Sequence, residues 1–152
     1  MIEQKLEQRM VERFSELLSD YKIQVYGTLQ PSIFTKGEDE GTIGTLIVKM
    51  NPREYETTMV PTCQINGAVA LSLMADVDYN GKTYLDICDI IMNELEKFQK
   101  CLDDVHELYT ISDEFVPTGF QLTTGETSID TTNTLWNYSH NFIIYGIVQD
   151  KA

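Results

Sequence analysis

The sequence predicts an α+β fold: a single β-sheet, antiparallel or mixed, flanked by two main helices. Three observations predict it. Apolar residues recur every three or four positions in two long stretches, Ile2 to Leu18 and Tyr84 to Val105. They alternate at period two from Ile65 and again from Trp136. At 152 residues and 42% hydrophobic, the chain suits one domain over 1–152, and a domain of that size buries about 70% of the surface its unfolded chain exposes.

The first helix carries Ile2, Leu6, Met10, Phe14 and Leu17/Leu18 on one stripe, with Glu3 in the first turn, where the helix dipole favours an acid. KIQVYG (22–27) reads as a short strand. TLQPSIFTKGEDEGTIG (28–44) mixes Pro31, Gly37, Gly41 and Gly44 with Glu38, Asp39 and Glu40, and reads as a long mobile acidic loop. GTLIVKM (44–50) reads as a second strand, and NPREYETTMVPT brings the chain around.

From Ile65 to Tyr79 the odd positions are nearly all apolar and the even ones small or polar. At about 3.3 Å per residue this strand would reach roughly 50 Å, so a bend, a bulge or a projecting end is expected. Its far end, DVDYNGKTYLDI (76–87), poses a choice. Asp76, Asp78, Asn80 and Gly81 match the first ligands and the turn glycine of an EF-hand calcium loop. Yet the segment is entered from a strand, the twelfth position is Ile87 where a bidentate carboxylate belongs, and the eighth is Thr83. The reading that uses every residue is a tight Asn80-Gly81 turn followed by a capping box of Thr83 and Asp86. A strand–loop–helix calcium site on Asp76, Asp78 and Asn80 is the open alternative, and no metal site is assigned.

The second helix is the strongest element. Tyr84, Cys88, Ile91, Leu95, Phe98, Leu102 and Val105 step by four and three, with Ile87 and Ile90 widening the stripe. Packing on its own sheet is preferred to a coiled-coil partner. Glu96 and Lys100 form a favourable i,i+4 pair, and Asp103 and Asp104 would oppose the dipole at a C-terminus, so fraying is expected from about Leu102. A polar, Thr-rich stretch then leads to LWNYSHNFIIYGIVQD. Trp136, Tyr138, His140, Phe142, Ile144 and Val148 share one parity and Ile143, Tyr145 and Ile147 the other, the pattern of a long strand buried on both faces near its end and central or sealed by a neighbour.

Composition excludes several functions. The net charge is −13, and from Cys101 to Asp150 there is no Lys or Arg. Such a surface repels phosphate, the opposite of what tight nucleic-acid binding needs. No run approaches the roughly 18 apolar residues of a membrane span. MIEQKLEQRMVERF has no apolar core and is not the pattern of a secretory signal. Three cysteines without CxxC spacing point to a reducing compartment, with neither a disulfide framework nor zinc. His106 has no second ligand at zinc-like spacing, and His140 reads as a hydrogen-bonded structural histidine. Neither Ser139 nor Cys101 sits in a nucleophile motif, and no glycine-rich loop cradles phosphate. The chain reads as a non-enzyme with no cofactor.

The order of elements (helix, strands with a long loop, long strand, long helix, terminal hairpin) resembles the tail terminator, or tail-completion, proteins of long-tailed bacteriophages. The likeness is most concrete in FVPTGFQLTTGETSIDTTNTLWNYSHNFIIYGIV, Phe115 to Val148, where an apolar strand, a Gly/Asp/Thr-rich stretch and a Trp precede an aromatic–Gly–aliphatic run. The resemblance implies a ring, commonly hexameric, that stops tail-tube growth and joins tail to head while DNA passes through the middle. It implies tail-tube and head-connector proteins as partners, a place in the virion, and assembly in the host cytoplasm. It carries over no residue-level site. On this reading the acidic second half lets DNA slide without sticking, and Glu38, Asp39 and Glu40 lie on a partner- or channel-facing loop. The alternative from another class is a small acidic chaperone of the secretion type. Those chaperones normally end in an amphipathic helix, whereas this sequence closes on a strand.

Overall fold

The computed structural model describes residues 1–28, 44–55, 61–74, 81–132 and 134–149. In chain order the elements are α1 (Ile2–Leu17), a 3-10 turn (Ser19–Tyr21), β1 (Ile23–Gly27), β2 (Gly44–Met50), β3 (Glu54–Tyr55), β4 (Thr62–Met74), α2 (Tyr84–Lys100), α3 (Leu102–Tyr109), β5 (Phe115–Asp130) and β6 (Leu135–Val148). The strands form one mixed sheet in the order β1-β2-β4-β6-β5, with the two-residue β3 also pairing with β4. Only β1–β2 is parallel; every other pairing is antiparallel.

The alternation along the two longest central strands decides which side the helices take. On β4 the odd positions Cys63 to Leu73 are buried, and on β6 the even positions Tyr138 to Gly146 are. All three helices feed the same apolar cluster, α1 against β1 and β2, α2 and α3 against β5. The opposite side of β4 and β6 has no described helix over it. Ile143, Tyr145 and Ile147 lie on that side and are half-buried, so among the described residues β6 is fully buried only on its helix side, where its sequence suggests both. It is central, between β4 and β5.

Several boundaries differ from expectation. β4 begins at Thr62, three residues earlier, and pairs with β6 without a register shift through Met74. Residues 75–80 lie outside the described residues. The bulges fall in β5, between Pro117 and Gly119 and between Leu122 and Gly125. The Thr-rich stretch is itself strand: β5 runs sixteen residues to Asp130. The second helix does not fray but breaks. Cys101 is extended (φ −132°, ψ 107°) and a separate α3 starts at Leu102. The charges explain the break. Lys97 and Lys100 fall in the last turn of α2 and Asp103 and Asp104 in the first turn of α3, so each pair complements the dipole of its own helix.

The capping box at the start of α2 forms as read. Thr83 Oγ1 accepts from the Asp86 backbone N–H, and Asp86 Oδ2 accepts from the Thr83 backbone N–H at 2.9 Å. Those hydrogen bonds hold the Asp86 carboxyl below its usual range. Gly81, just before, takes φ +83°, which glycine adopts without strain. Tyr84 then stacks on Trp136 with centroids 4.2 Å apart, docking the first turn of α2 on β6.

Candidate functional site

Polar groups inside the core gather around Tyr138. The Tyr138 hydroxyl lies 3.2 Å from His140 Nδ1 and 3.8 Å from the Met92 sulfur. Burial pushes the Tyr138 phenol up to about 12, helped by Cys88 and the acids Glu96 and Asp89. Burial also pushes the Cys88 thiol up to about 11 and the His140 imidazole down. Every shift favours the neutral form. A nucleophilic cysteine needs a thiolate and hence a depressed value, the opposite of the shift at Cys88, and His140 is the hydrogen-bonded core histidine its sequence context suggests.

Three glutamates that the sequence reading did not place inside are buried: Glu3, Glu7 and Glu94. Glu3 Oε2 accepts from the Arg53 backbone N–H at 2.8 Å and from Arg53 Nε at 3.2 Å. Glu7 accepts from the Met50 backbone N–H at 3.3 Å and the Thr28 hydroxyl at 3.4 Å. Glu94 takes a two-pronged contact from Arg13. Together they lash α1 to the β2 end of the sheet and to α2. The signal was present, because Glu3, Glu7, Met10 and Phe14 step four, three, four, as do Ile87, Ile91, Glu94 and Phe98. Acids within a stripe are acids facing the core.

Most of the residues singled out from sequence fall in undescribed segments. Glu38, Asp39 and Glu40, and likewise Asp76, Asp78 and Asn80, lie outside the described residues. His106 sits on α3. Among the described residues no three His, Cys, Asp or Glu side chains are placed to hold a metal, and Cys63, Cys88 and Cys101 are all free thiols. No described helix is long and apolar enough to cross a membrane. A hollow between Arg13, Lys97, Asp104 and Leu108 encloses only about 100 Å³, below the roughly 300 Å³ at which small-molecule pockets begin.

What the fold offers outward is a sheet face. β4 and β6 contain no Asp, Glu, Lys or Arg at any position, in a chain that is 23% charged. On the helix side that is ordinary for a core. On the outer side it leaves neutral polar groups beside Ala70, Met74 and Ile143. Ser72 Oγ donates to Asn137 Oδ1 at 2.7 Å, and Asn141 Nδ2 donates to Thr124 Oγ1 at 3.0 Å. An open concavity of about 340 Å³ indents this face between Lys49, Asn51, Asn66 and Asn141. Beside it the outer half of β5 is exposed from Thr123 to Ile129 along the sheet edge.

No family profile matches the sequence, and no curated protein matches it. Solved structures do match. One is a chain of the virion of a native gene transfer agent (GTA) particle, with a TM-score of 0.53 over 93% of this chain and 91% of that one at 8% identity. At that identity what the two chains share is the fold. The likeness runs nearly end to end, so it concerns the whole arrangement of helices and sheet.

Proposed function

We propose that this chain is a structural virion protein that assembles into a ring, in the manner of a phage tail terminator, capping the tail tube and joining tail to head. The observation that carries the reading is the end-to-end fold likeness to a chain of a virion particle. The chemistry of the core is in keeping with it. Core phenol, thiol and imidazole are all held neutral, and the outward features are surfaces. A hexamer is the stoichiometry that the terminator resemblance implies. DNA passes through such a ring without being bound, because a chain of net charge −13 repels the phosphate backbone. The acidic segment with Glu38, Asp39 and Glu40 meets the tube or a neighbouring copy. The protein works in the tail or neck of the particle after assembly in the host cytoplasm.

The test is electron microscopy and sedimentation of the purified protein across concentration, alone and mixed with the tail-tube protein of the same virus. Ring-shaped particles, with no salt-sensitive retention of duplex DNA, are expected. A monomer under every condition would overturn the reading, and a stable dimer that holds an unfolded client would replace it with the chaperone.

A further inference from the structure

We propose that the outer face of the sheet, centred on β4 and β6, is the surface on which a second copy of this chain seats. The inference rests on the assembly reading above and names the contact that such an assembly uses.

Charge is missing from this face. One-sided antiparallel sheets put polar residues outward, and in a chain that is 23% charged some of those should be ionised. β4 and β6 supply none along thirteen and fourteen residues. α1, by contrast, carries Glu3, Lys5, Glu7, Arg9, Glu12, Arg13 and Glu16 within sixteen. Solubility alone does not select for this, because any exposed Lys or Glu would serve it. Depletion of charge at the centre of a patch is the compositional mark of a protein interface. The face also presents apolar surface, with Met74 46% exposed and Ala70 exposed beside it.

The assembly reading supplies a second copy as the occupant, and the charge distribution is in keeping with it. A basic partner would be met by acids, of which the chain has many, and they are elsewhere. A second copy also carries −13, and like charges brought together across an interface cost several kcal/mol. Two such chains approach best through a face that contributes no charge. The cation at its border, exposed Lys49, has no acidic group within 4 Å among the described residues. It flanks the concavity with Asn51, Asn66 and Asn141, where a carboxylate of the neighbouring copy fits.

The experiment compares Ala70→Glu and Ala70→Gln with the wild-type chain by sedimentation velocity over a concentration series. The two substituents are equal in size and differ in charge. Ala70 is exposed, so the monomer keeps its fold, verified by circular dichroism and melting temperature. Leu85→Glu, an equal charge at an exposed site on α2, is the off-face control. The expected result is at least a tenfold rise in the concentration needed for assembly with Ala70→Glu, a smaller rise with Ala70→Gln, and none with Leu85→Glu. If the wild type assembles and Ala70→Glu assembles equally well, the face is not the contact and the ring reading stands. If the wild type never assembles, both fall.

Discussion

Arg13 on α1 grips Glu94 on α2 through two hydrogen bonds, Nε to Oε2 at 2.8 Å and Nη2 to Oε1 at 3.3 Å. The Glu94 side chain is 6% exposed and that of Arg13 34%. The hydrogen bond to Glu94 raises the Arg13 pKa, against a smaller lowering from burial. The partners are therefore unequal: Arg13 retains water if abandoned, whereas Glu94 would keep, among the described residues, only the ion pair with Lys97 at 3.9 Å. Arg13→Ala is expected to cost about 2 kcal/mol, the scale of a hydrogen bond to a charged group together with the penalty of stranding a buried one. Glu94→Gln should cost less, because its abandoned partner is the better solvated. Urea denaturation of the two single variants and the double variant measures both. Equal losses in the two single variants would show that the asymmetry is wrong.

Gly67 on β4 lies opposite Phe142 on β6, and the ring occupies the space a side chain would need. A Cβ at 67 would stand 2.5 Å from Phe142 Cζ and 2.9 Å from the backbone oxygen of Lys49. The ring cannot move freely, since it stacks on Phe120 with centroids 5.2 Å apart. Gly67→Ala should cost about 1–3 kcal/mol, the usual price of overpacking a core. Gly119→Ala is the control: its Cβ would meet only Tyr145 Cδ2 at 3.7 Å, ordinary contact, and its effect should stay within about 0.5 kcal/mol. Thermal melts of the two variants decide the matter, and equal effects would remove the steric account.

The parts of this fold that could be read from sequence are those where one physical signal acts alone. The stripe of α1, the alternation of β4 and the Thr83–Asp86 box each have a single period or a single local hydrogen-bond pattern behind them. The break at Cys101 was missed because the apolar stripe runs on through it to Val105, and the counter-signal was electrostatic: two lysines before the break and two aspartates after it. The Thr-rich outer half of β5 was missed because it is exposed on both sides, so nothing alternates. The buried glutamates were missed because their partners, Arg53, Met50 and Arg13, are distant in sequence and only the fold brings them near. The outer face was hidden for a related reason. An uncharged run in sequence looks like core until the sheet shows that half of it points away.

His140 provides a pH signature. Burial lowers its pKa from 6.5, the nearby Glu96 only partly offsetting this, and its side chain faces Tyr138 and the backbone of Gly125. Above the unfolded value of about 6.5 the imidazole is neutral in both states and contributes no pH dependence. As pH falls below that value the unfolded chain takes up the proton first, because the folded site resists it, so stability declines until pH passes the lower folded value. Carboxylates titrate mostly below about pH 5, which leaves the window from 7.5 to 5 to histidine. His106, on α3, is common to both proteins in the comparison. The melting temperature of the wild type should therefore fall faster than that of His140→Gln between pH 7.5 and 5, where glutamine keeps a polar partner for the Tyr138 hydroxyl without a proton to gain. Parallel curves would mean that His140 titrates alike in the folded and unfolded chain, and the core seam around Tyr138 would then have to be wetter than its burial implies.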